Sequence, residues 1–340
     1  MDTTTISAPV AEAAGPLAAL LDRELGYDPR AAYGGFISHT AMAMIAAWRL
    51  GAGPAELQRW LDDDAASDFL RPRAVPSAVA EQRRALLGGD DGPGAPAATR
   101  RAIAAAVRSA GPAVAASPLS QFFHGPIRLE YALDAIHAGQ VANALHNWQE
   151  NPSELPDPSL PVDGEPRRRL LDVSRELVEG APGRPSGRGS FRHTAESDWF
   201  RDVSGQVDLA SPNLLDELAD VALRAHVAGD NFTTLHQVTG MRAVRVISAW
   251  LAPTDSARLA EAAAQALLLT LGELHASLPD DQYLDHLRHE PAPGWADIAE
   301  AARASGDHHV VKLAYTARRE EQATGDPAYR WLAARQSGLS

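Results

Sequence analysis

The spacing of apolar residues constrains this chain more than any other feature of its sequence. Over most of its 340 residues, apolar side chains recur at intervals of three and four positions, and runs of alternating β-branched residues are scarce. The first pattern is typical of amphipathic helices, whereas the second would indicate strands. No repeat of fixed period is present, which argues against a solenoid. The sequence therefore predicts an all-α protein, long enough to bury a substantial core.

Proline and glycine divide the predicted helices into two groups. We predict a single all-α domain over residues 1–340, with an N-terminal helical half at about 10–150 and a C-terminal half at about 196–338. A proline- and glycine-rich middle, 151–195, separates them. The predicted helices are Val10–Leu25, a helix from Ser38 as N-cap to Gly51, 54–64, Ser77–Leu87, Ala97–Ser109, Pro126–Gln149 with a break at Gly139, Arg167–Val178, Leu214–Val227, Phe232–Leu251, Ser256–Ala276, Trp295–Ala304, His308–Thr324 and Ala328–Arg335.

Composition excludes several classes of function. The formal net charge of −13 leaves no basic surface for a nucleic-acid backbone. Without cysteine the chain has no disulfide, no thiolate nucleophile and no metal site built on sulfur. No segment reaches the roughly 20 apolar residues that a membrane span needs, and the N-terminus lacks a signal-peptide pattern. We therefore expect a cytoplasmic protein without nucleic-acid or membrane partners.

Histidine, with 12 residues, is the main chemical resource of the chain. Of these, His286 and His289 share one side of a charged helix, which indicates a solvated face rather than a metal site. Any single histidine in apolar surroundings is more often a hydrogen-bonded core residue than a ligand. Several of them at buried helix starts favour convergence on one site. The histidines in such places are His39, His124, His236, His308 and His309.

Lys312 is the only lysine among 31 basic residues. Lysine loses its proton when buried, whereas arginine stays charged. A neutral amine can react with carbon dioxide to give a carbamate, which a metal stabilises and which serves as an anionic oxygen ligand. On a helix, Lys312 shares a face with either His308 or His309, which precede it by four and three residues. The alternative is a surface cation retained by chance.

Several familiar motifs are absent from the sequence. It contains no HExxH, no glycine-rich phosphate loop, no GxGxxG and no GxSxG elbow. It also lacks the His-Asp dipeptide of helical metal phosphohydrolases, and its aspartate clusters fit a terpene cyclase poorly. These observations argue against the corresponding enzyme classes.

Four sequence blocks, each with a histidine, resemble the questin oxidase-like family. They occur in this order between residues 33 and 330: FISHTAMAMIAAWRLGAG, FFHGPIRLEYAL, FTTLHQVTGMRAVRVISAWL and DHHVVKLAYTARREEQATGD. Family members oxygenate aromatic polyketides in secondary metabolism and open anthraquinone rings. At least one branch resembles a non-haem iron dioxygenase whose metal is held by four histidines and a carboxylated lysine. Carried over block by block, the implied metal ligands and catalytic residues are His39, His124, His236, His309 and Lys312.

The resemblance therefore implies an oxidoreductase in which the two helical halves surround a central metal site. Its cofactor would be Fe²⁺ and its co-substrate dioxygen, whereas the resemblance leaves a need for NADPH open. The substrate would be a polycyclic aromatic or quinone-type polyketide, oxidised by C–C ring cleavage or a Baeyer–Villiger-like reaction. The family's spacing, a histidine and two residues before the lysine, implies that His309 rather than His308 is the ligand.

Other residues are weaker candidates for the substrate pocket. Arg128 and Arg242 could hold a phenolate or could form structural ion pairs. Aromatic side chains that could line the pocket or simply pack in the core are Phe36, Phe123, Tyr131 and Trp250. Two other functions stay open, namely a cofactor-independent oxygenase or cyclase that uses histidines as acids and bases, and a non-catalytic helical protein that binds aromatic metabolites.

Overall fold

The computed structural model describes residues 15–28, 37–67, 70–88, 96–156, 167–180, 191–272 and 277–339. Over these ranges the chain forms 17 helices and one antiparallel pair of two-residue strands, which confirms the all-α prediction. The strands are β1 (Tyr27–Asp28) and β2 (Arg71–Pro72). The helices are α1 (Gly15–Glu24), α2 (Thr40–Arg49), α3 (Pro54–Ala66), α4 (Ser77–Leu86), α5 (Pro96–Val114), α6 (His124–Ala135), α7 (Ala138–Glu150), α8 (Leu170–Val178), α9 (Phe191–Ala195), α10 (Asp198–Gly205), α11 (Leu214–Gly229), α12 (Phe232–Ser248), α13 (Pro253–Leu271), α14 (Asp281–His289), α15 (Trp295–Ala304), α16 (His308–Thr324) and α17 (Ala328–Gln336).

Four helices form a closed ring at the centre of the molecule. α2 and α6 come from the N-terminal half, and α12 and α16 come from the C-terminal half. α2 packs against α6, α6 against α12, α12 against α16, and α16 back against α2. The sequence of α2 explains its central position, because its first eight residues, TAMAMIAA, are nearly all apolar and are all buried. A helix that is apolar on every side is stable only when other helices surround it.

The helix starts nearest the site are set by side-chain caps. The carboxylate of Asp307 accepts the backbone N–H groups of His309 and Val310, so α16 begins and ends where the sequence predicts. Asn231 and Thr234 form a reciprocal capping box at the start of α12. These caps satisfy N–H groups that have no partner within the helix.

Several predicted boundaries differ from the structure. α5 runs to Val114 rather than Ser109, α12 ends at Ser248 rather than Leu251, and α13 begins at Pro253 rather than Ser256.

The break in the 126–149 pattern lies at Ile136 and His137 rather than at Gly139. Ile136 takes a left-handed φ of 48°, and the ring of His137 accepts the backbone N–H of Gln140 to begin α7. Gly139 serves close packing instead, because a Cβ there would lie 2.6 Å from Cδ1 of Leu25.

α2 begins at Thr40 with His39 in the N-cap position, one residue after the predicted Ser38 cap. The short helices α9 and α10 are not predicted, because five and eight residues are too few to show a clear period. The first part of the predicted Val10–Leu25 helix and most of the proline- and glycine-rich middle lie outside the described residues.

Candidate metal centre

The central ring of helices brings the predicted ligands together. His39 caps α2, His124 is the first residue of α6, His236 lies in the second turn of α12, and His309 lies in the first turn of α16. Ring centres are 4.5 Å apart for His39 and His309, 4.8 Å for His39 and His124, and 4.7 Å for His124 and His236. Residues from four distant segments thus meet in one cluster.

Backbone carbonyls orient two of the rings. Nδ1 of His124 lies 2.6 Å from the carbonyl oxygen of Gln121, and Nδ1 of His236 lies 2.7 Å from that of Phe232. A carbonyl oxygen only accepts, so each Nδ1 carries the hydrogen and each Nε2 keeps its lone pair. A carbonyl that accepts the hydrogen of Nδ1 fixes the tautomer whose Nε2 can bind a metal.

The remaining ring nitrogens face one another. His39, His236 and His309 each offer a nitrogen within 4.8 Å of the other two, and Nε2 of His39 lies 2.6 Å from Nε2 of His124. Among the described residues, the buried Nε2 atoms of His236 and His309 have no hydrogen-bond partner. Buried polar atoms are rarely left unpaired, because the loss of hydration is costly. The donor set fits a metal ion bound by imidazole nitrogens.

Lys312 is fully buried within the same ring of helices. None of its side-chain surface is exposed, and no described residue accepts a hydrogen bond from its Nζ. Burial, together with the positive charge of Arg128 and against the opposing effect of Asp307, lowers the pKa of Lys312 to about 7. The surface-cation alternative is therefore wrong. Near neutral pH a large share of this amine is uncharged.

The histidines of the cluster are neutral at pH 7. Burial lowers the pKa values of His39, His124 and His236 well below 6.5, and the nearby positive charge of Lys312 acts in the same direction. For His309, burial also lowers the pKa, while Asp307 partly opposes the shift. Neutral imidazole is the form that binds metal.

His308 points away from the cluster. Its ring stacks on Trp60, with centres 5.0 Å apart and planes 18° apart, and its Nε2 lies 3.4 Å from a carboxylate oxygen of Asp64. Asp64 also accepts a hydrogen bond from the hydroxyl of Thr40. Burial raises the pKa of Asp64 to about 6. Of the two adjacent histidines, His309 is therefore the one placed with the other ring nitrogens.

Most of the predicted pocket aromatics belong to the core. Phe123 is fully buried, and its ring packs directly on Gly240. The hydroxyl of Tyr131 donates a hydrogen bond to a backbone carbonyl of α16, and Trp250 is half-buried against the core. Phe36 lies outside the described residues.

Two other phenylalanines contact the histidines instead. The ring of Phe232 is centred 4.1 Å from that of His236 and 5.6 Å from that of His309. Phe122 lies 5.8 Å from His236 by the same measure. The sequence analysis missed both, although the spacing of Phe232 and His236, four residues apart on a helix, places them on the same face.

The two arginine candidates for a phenolate make structural contacts. Nη1 of Arg242 lies 2.9 Å from Oε1 of Glu320, and both side chains are buried. Nη2 of Arg128 donates to the backbone carbonyl of Ser38. On α14, the side chain of His286 is 68% exposed and His289 is exposed, as expected of a solvated face.

Among the described residues, no helix combines the length and apolarity that crossing a membrane requires. Neither a protein-family model nor a curated protein matches this chain. Its function is therefore inferred from the site itself.

Proposed function

We propose that this chain is a non-haem iron oxygenase. The observation that carries the proposal is that three buried nitrogens, Nε2 of His236, Nε2 of His309 and Nζ of Lys312, have no hydrogen-bond partner among the described residues. A metal bound by these atoms would satisfy all of them at once. The proposed ligands are His39, His124, His236, His309 and the carboxylated side chain of Lys312.

The chemistry of the donors supports iron and limits the alternatives. Imidazole nitrogen suits iron, copper, zinc and nickel, and the chain has no cysteine to favour softer metals. The resemblance to the questin oxidase-like family favours iron within that group. Four neutral imidazoles and one carbamate would leave an iron(II) site with a net charge of about +1. When bound, the iron would supply dioxygen binding and redox chemistry.

The chain's own residues hold and shield this site. The carbonyls of Gln121 and Phe232 keep two imidazoles in the metal-binding tautomer. The carboxylate of Asp307 lies 3.6 Å from Nδ1 of His309, so an acidic group stands beside a third ring. Burial excludes water from the Lys312 amine and keeps it reactive towards carbon dioxide. The aromatic rings beside the cluster favour a polycyclic aromatic or quinone-type polyketide as substrate, with ring cleavage or Baeyer–Villiger-like oxidation as the reaction.

Replacement of Lys312 tests the proposal. Lys312→Arg introduces a permanently charged group that cannot form a carbamate, and Lys312→Met keeps the length of the side chain without an amine. We expect wild type to bind about one iron per chain, and both variants to bind it at least tenfold more weakly, because loss of even a residue that is only hydrogen-bonded to a ligand costs 10- to 100-fold in metal affinity. Iron content and iron titration measure this, with circular dichroism to check the helical fold.

A rescue experiment separates the carbamate from other roles of Lys312. Propionate added to Lys312→Ala should restore part of the iron binding, because a small carboxylate can occupy the space of the lost ligand. Wild-type iron affinity in folded Lys312→Arg and Lys312→Met would contradict the carbamate. Metal-free wild-type protein with full turnover would instead favour the cofactor-independent oxygenase.

A further inference from the structure

Three phenylalanines cover one side of the histidine cluster. Phe122 and Phe232 stack with centres 5.7 Å apart and planes 21° apart, and Phe191 lies 5.8 Å from Phe122. Phe232 in turn contacts the rings of His236 and His309. We call Phe122 and Phe232 the phenylalanine platform. The platform is continuous with the proposed ligands.

The platform connects the buried cluster with solvent. His236 is completely buried, whereas Phe232, four residues before it, is 43% exposed. A large exposed apolar side chain loses the free energy that burial would give, so its position against metal-binding groups favours a role in binding. A small molecule that covered Phe232 would lie directly beside the proposed ligands.

The backbone beneath the platform takes an unusual conformation. Gln121, Phe122 and Phe123 all have positive φ values, of 50°, 58° and 67°. Residues with a Cβ avoid this left-handed region, and three in succession are rare. Here the turn places the carbonyl of Gln121 on the ring of His124 and the ring of Phe122 against Phe232. Such outliers persist where the surrounding structure holds them, and they often mark functional sites.

A cleft extends from the platform. It has a volume of about 480 Å³, and its wall contains the apolar side chains of Leu119, Leu155 and Phe191, which contacts Phe122, as well as the carboxylates of Glu154 and Glu196. Sites for small molecules commonly enclose about 300–1,000 Å³ and are largely apolar. The volume of this cleft lies within that range, and Phe191 joins the cleft to the platform.

We propose that Phe122 and Phe232 determine the specificity of this site for planar, multi-ring aromatic substrates. One ring of the substrate lies on the platform with its edge towards His236 and His309, and the remaining rings extend along the cleft past Phe191. Offset and tilted ring contacts of this kind favour flat aromatic molecules over aliphatic ones of equal size. The inference rests on the proposed function for the chemistry that follows binding.

Binding of 1,8-dihydroxyanthraquinone, with phenol as the one-ring comparison, tests this inference in the iron-loaded full-length protein. We expect Phe232→Ala to raise the dissociation constant of the anthraquinone about tenfold and to leave that of phenol within about twofold. Phe122→Leu, which keeps an apolar side chain but removes the ring, should act in the same direction. Tyr283→Ala is the matched control, because Tyr283 is an exposed aromatic residue on α14, 46% exposed, away from the cluster.

The outcomes separate the platform from the metal site. Phe232→Ala should keep its iron, because residue 232 orients His236 through its backbone carbonyl. Unchanged anthraquinone affinity in Phe232→Ala and Phe122→Leu would overturn the role of the platform. An equal loss of anthraquinone affinity in Tyr283→Ala, or wild-type protein that does not bind the anthraquinone, would overturn it as well. Iron content of the same samples tests the proposed function separately. Variants that bind iron and show unaltered anthraquinone affinity would contradict only the role of the platform. Wild-type protein that binds no iron would contradict the proposed oxygenase.

Discussion

His308 and His309 are neighbours in the chain with different surroundings. Successive residues on a helix point about 100° apart, so one ring faces the cluster and the other faces α3. His309 contacts His39, whereas His308 lies between Trp60 and Asp64. Only the first of these environments contains unpaired ring nitrogens.

We therefore expect His309→Ala to lose at least tenfold in iron affinity and His308→Ala to change it by less than about threefold, with metal titration as the measurement. The two variants are matched in chemistry and in position on α16. Loss of iron from His308→Ala alone would reverse the assignment of the ligand.

Glu130, on α6, is a buried carboxyl outside the cluster. Burial raises its pKa to about 8 from an ordinary value of 4.5. The charged groups nearby that modify this shift are Arg242 and Arg319, which lower it, and Asp134 and Glu320, which raise it. Between these two pKa values the folded state holds more protons than the unfolded state, so Glu130 lowers stability as pH rises from about 4.5 to 8.

Glu130→Gln should remove this dependence. We expect the unfolding free energy of the variant to increase relative to wild type between pH 5 and pH 7.5, by up to about 1.4 kcal/mol per pH unit. Urea unfolding at several pH values measures the difference. A difference that does not vary with pH would show that Glu130 ionises as freely in the folded protein as in the unfolded chain.

At the scale of single residues, the sequence was sufficient to select candidate site residues but not to show that they lie together. Polar side chains within apolar helical segments, such as His236 and Lys312, could be selected from their neighbours alone. That they converge could not be derived, because 85 residues separate His39 from His124 and periodicity contains no information on tertiary distance. The family resemblance supplied the grouping. Phe232 was missed because its only signal is its spacing of four residues from His236, which has a meaning only once His236 is assigned to the site.

At the level of helices, an ion pair joins two members of the central ring. Arg242 of α12 and Glu320 of α16 are 8% and 2% exposed, and Arg245 also approaches Glu320, at 3.4 Å. A buried carboxylate that loses its main partner is costly, since it keeps its charge without hydration. This pair therefore fixes the two helices that carry His236, His309 and Lys312.

Arg242→Met should destabilise the protein by about 3 kcal/mol, at the lower end for a buried pair because Arg245 remains near Glu320. Arg168→Met, which removes an exposed pair with Glu176, should cost less than about 1 kcal/mol. Chemical unfolding of both variants measures the contrast. Combined replacement of Arg242 and Glu320 by apolar residues should recover much of the lost unfolding free energy. An Arg242→Met variant as stable as wild type would contradict the structural role of this ion pair.

Sequence reasoning succeeded for helices whose boundaries depend on local chemistry. α16 was predicted to the residue, because the Asp307 cap and the apolar period lie within the segment itself. The turn of Gln121 to Phe123 could not be predicted, because none of its residues is the glycine or asparagine that usually marks a left-handed conformation. Tertiary contacts such as the packing of Phe123 on Gly240 hold that turn.

For the molecule as a whole, the proposed metal would connect helices from both halves of the chain. α2 and α6 contribute His39 and His124, while α12 and α16 contribute the other ligands. The unfolded chain cannot gather these residues, so iron would bind the folded state alone. Ligand binding of this kind adds about 2.7 kcal/mol of stability when the metal exceeds its dissociation constant a hundredfold.

Removal of iron with a chelator should therefore lower the melting temperature by about 5 °C, and added iron should restore it. His236→Ala should respond to either treatment by no more than about half as much as wild type. His289→Ala is the matched control, because Nδ1 of His289 also lies on the carbonyl four residues earlier but the residue is exposed on α14. Differential scanning calorimetry measures the shift, and a wild-type melting temperature unaffected by chelation would argue against a structural link through the metal.

Three of the helices that carry ligands begin at the cluster itself. His39 caps α2, His124 is the first residue of α6, and His309 is the second residue of α16. The aligned peptide dipoles of a helix place a partial positive charge at its N-terminus. Three such ends oppose a bare divalent cation and stabilise an anion at the same point. On the proposed assignment, carbon dioxide and iron would thus bind cooperatively, each increasing the affinity for the other.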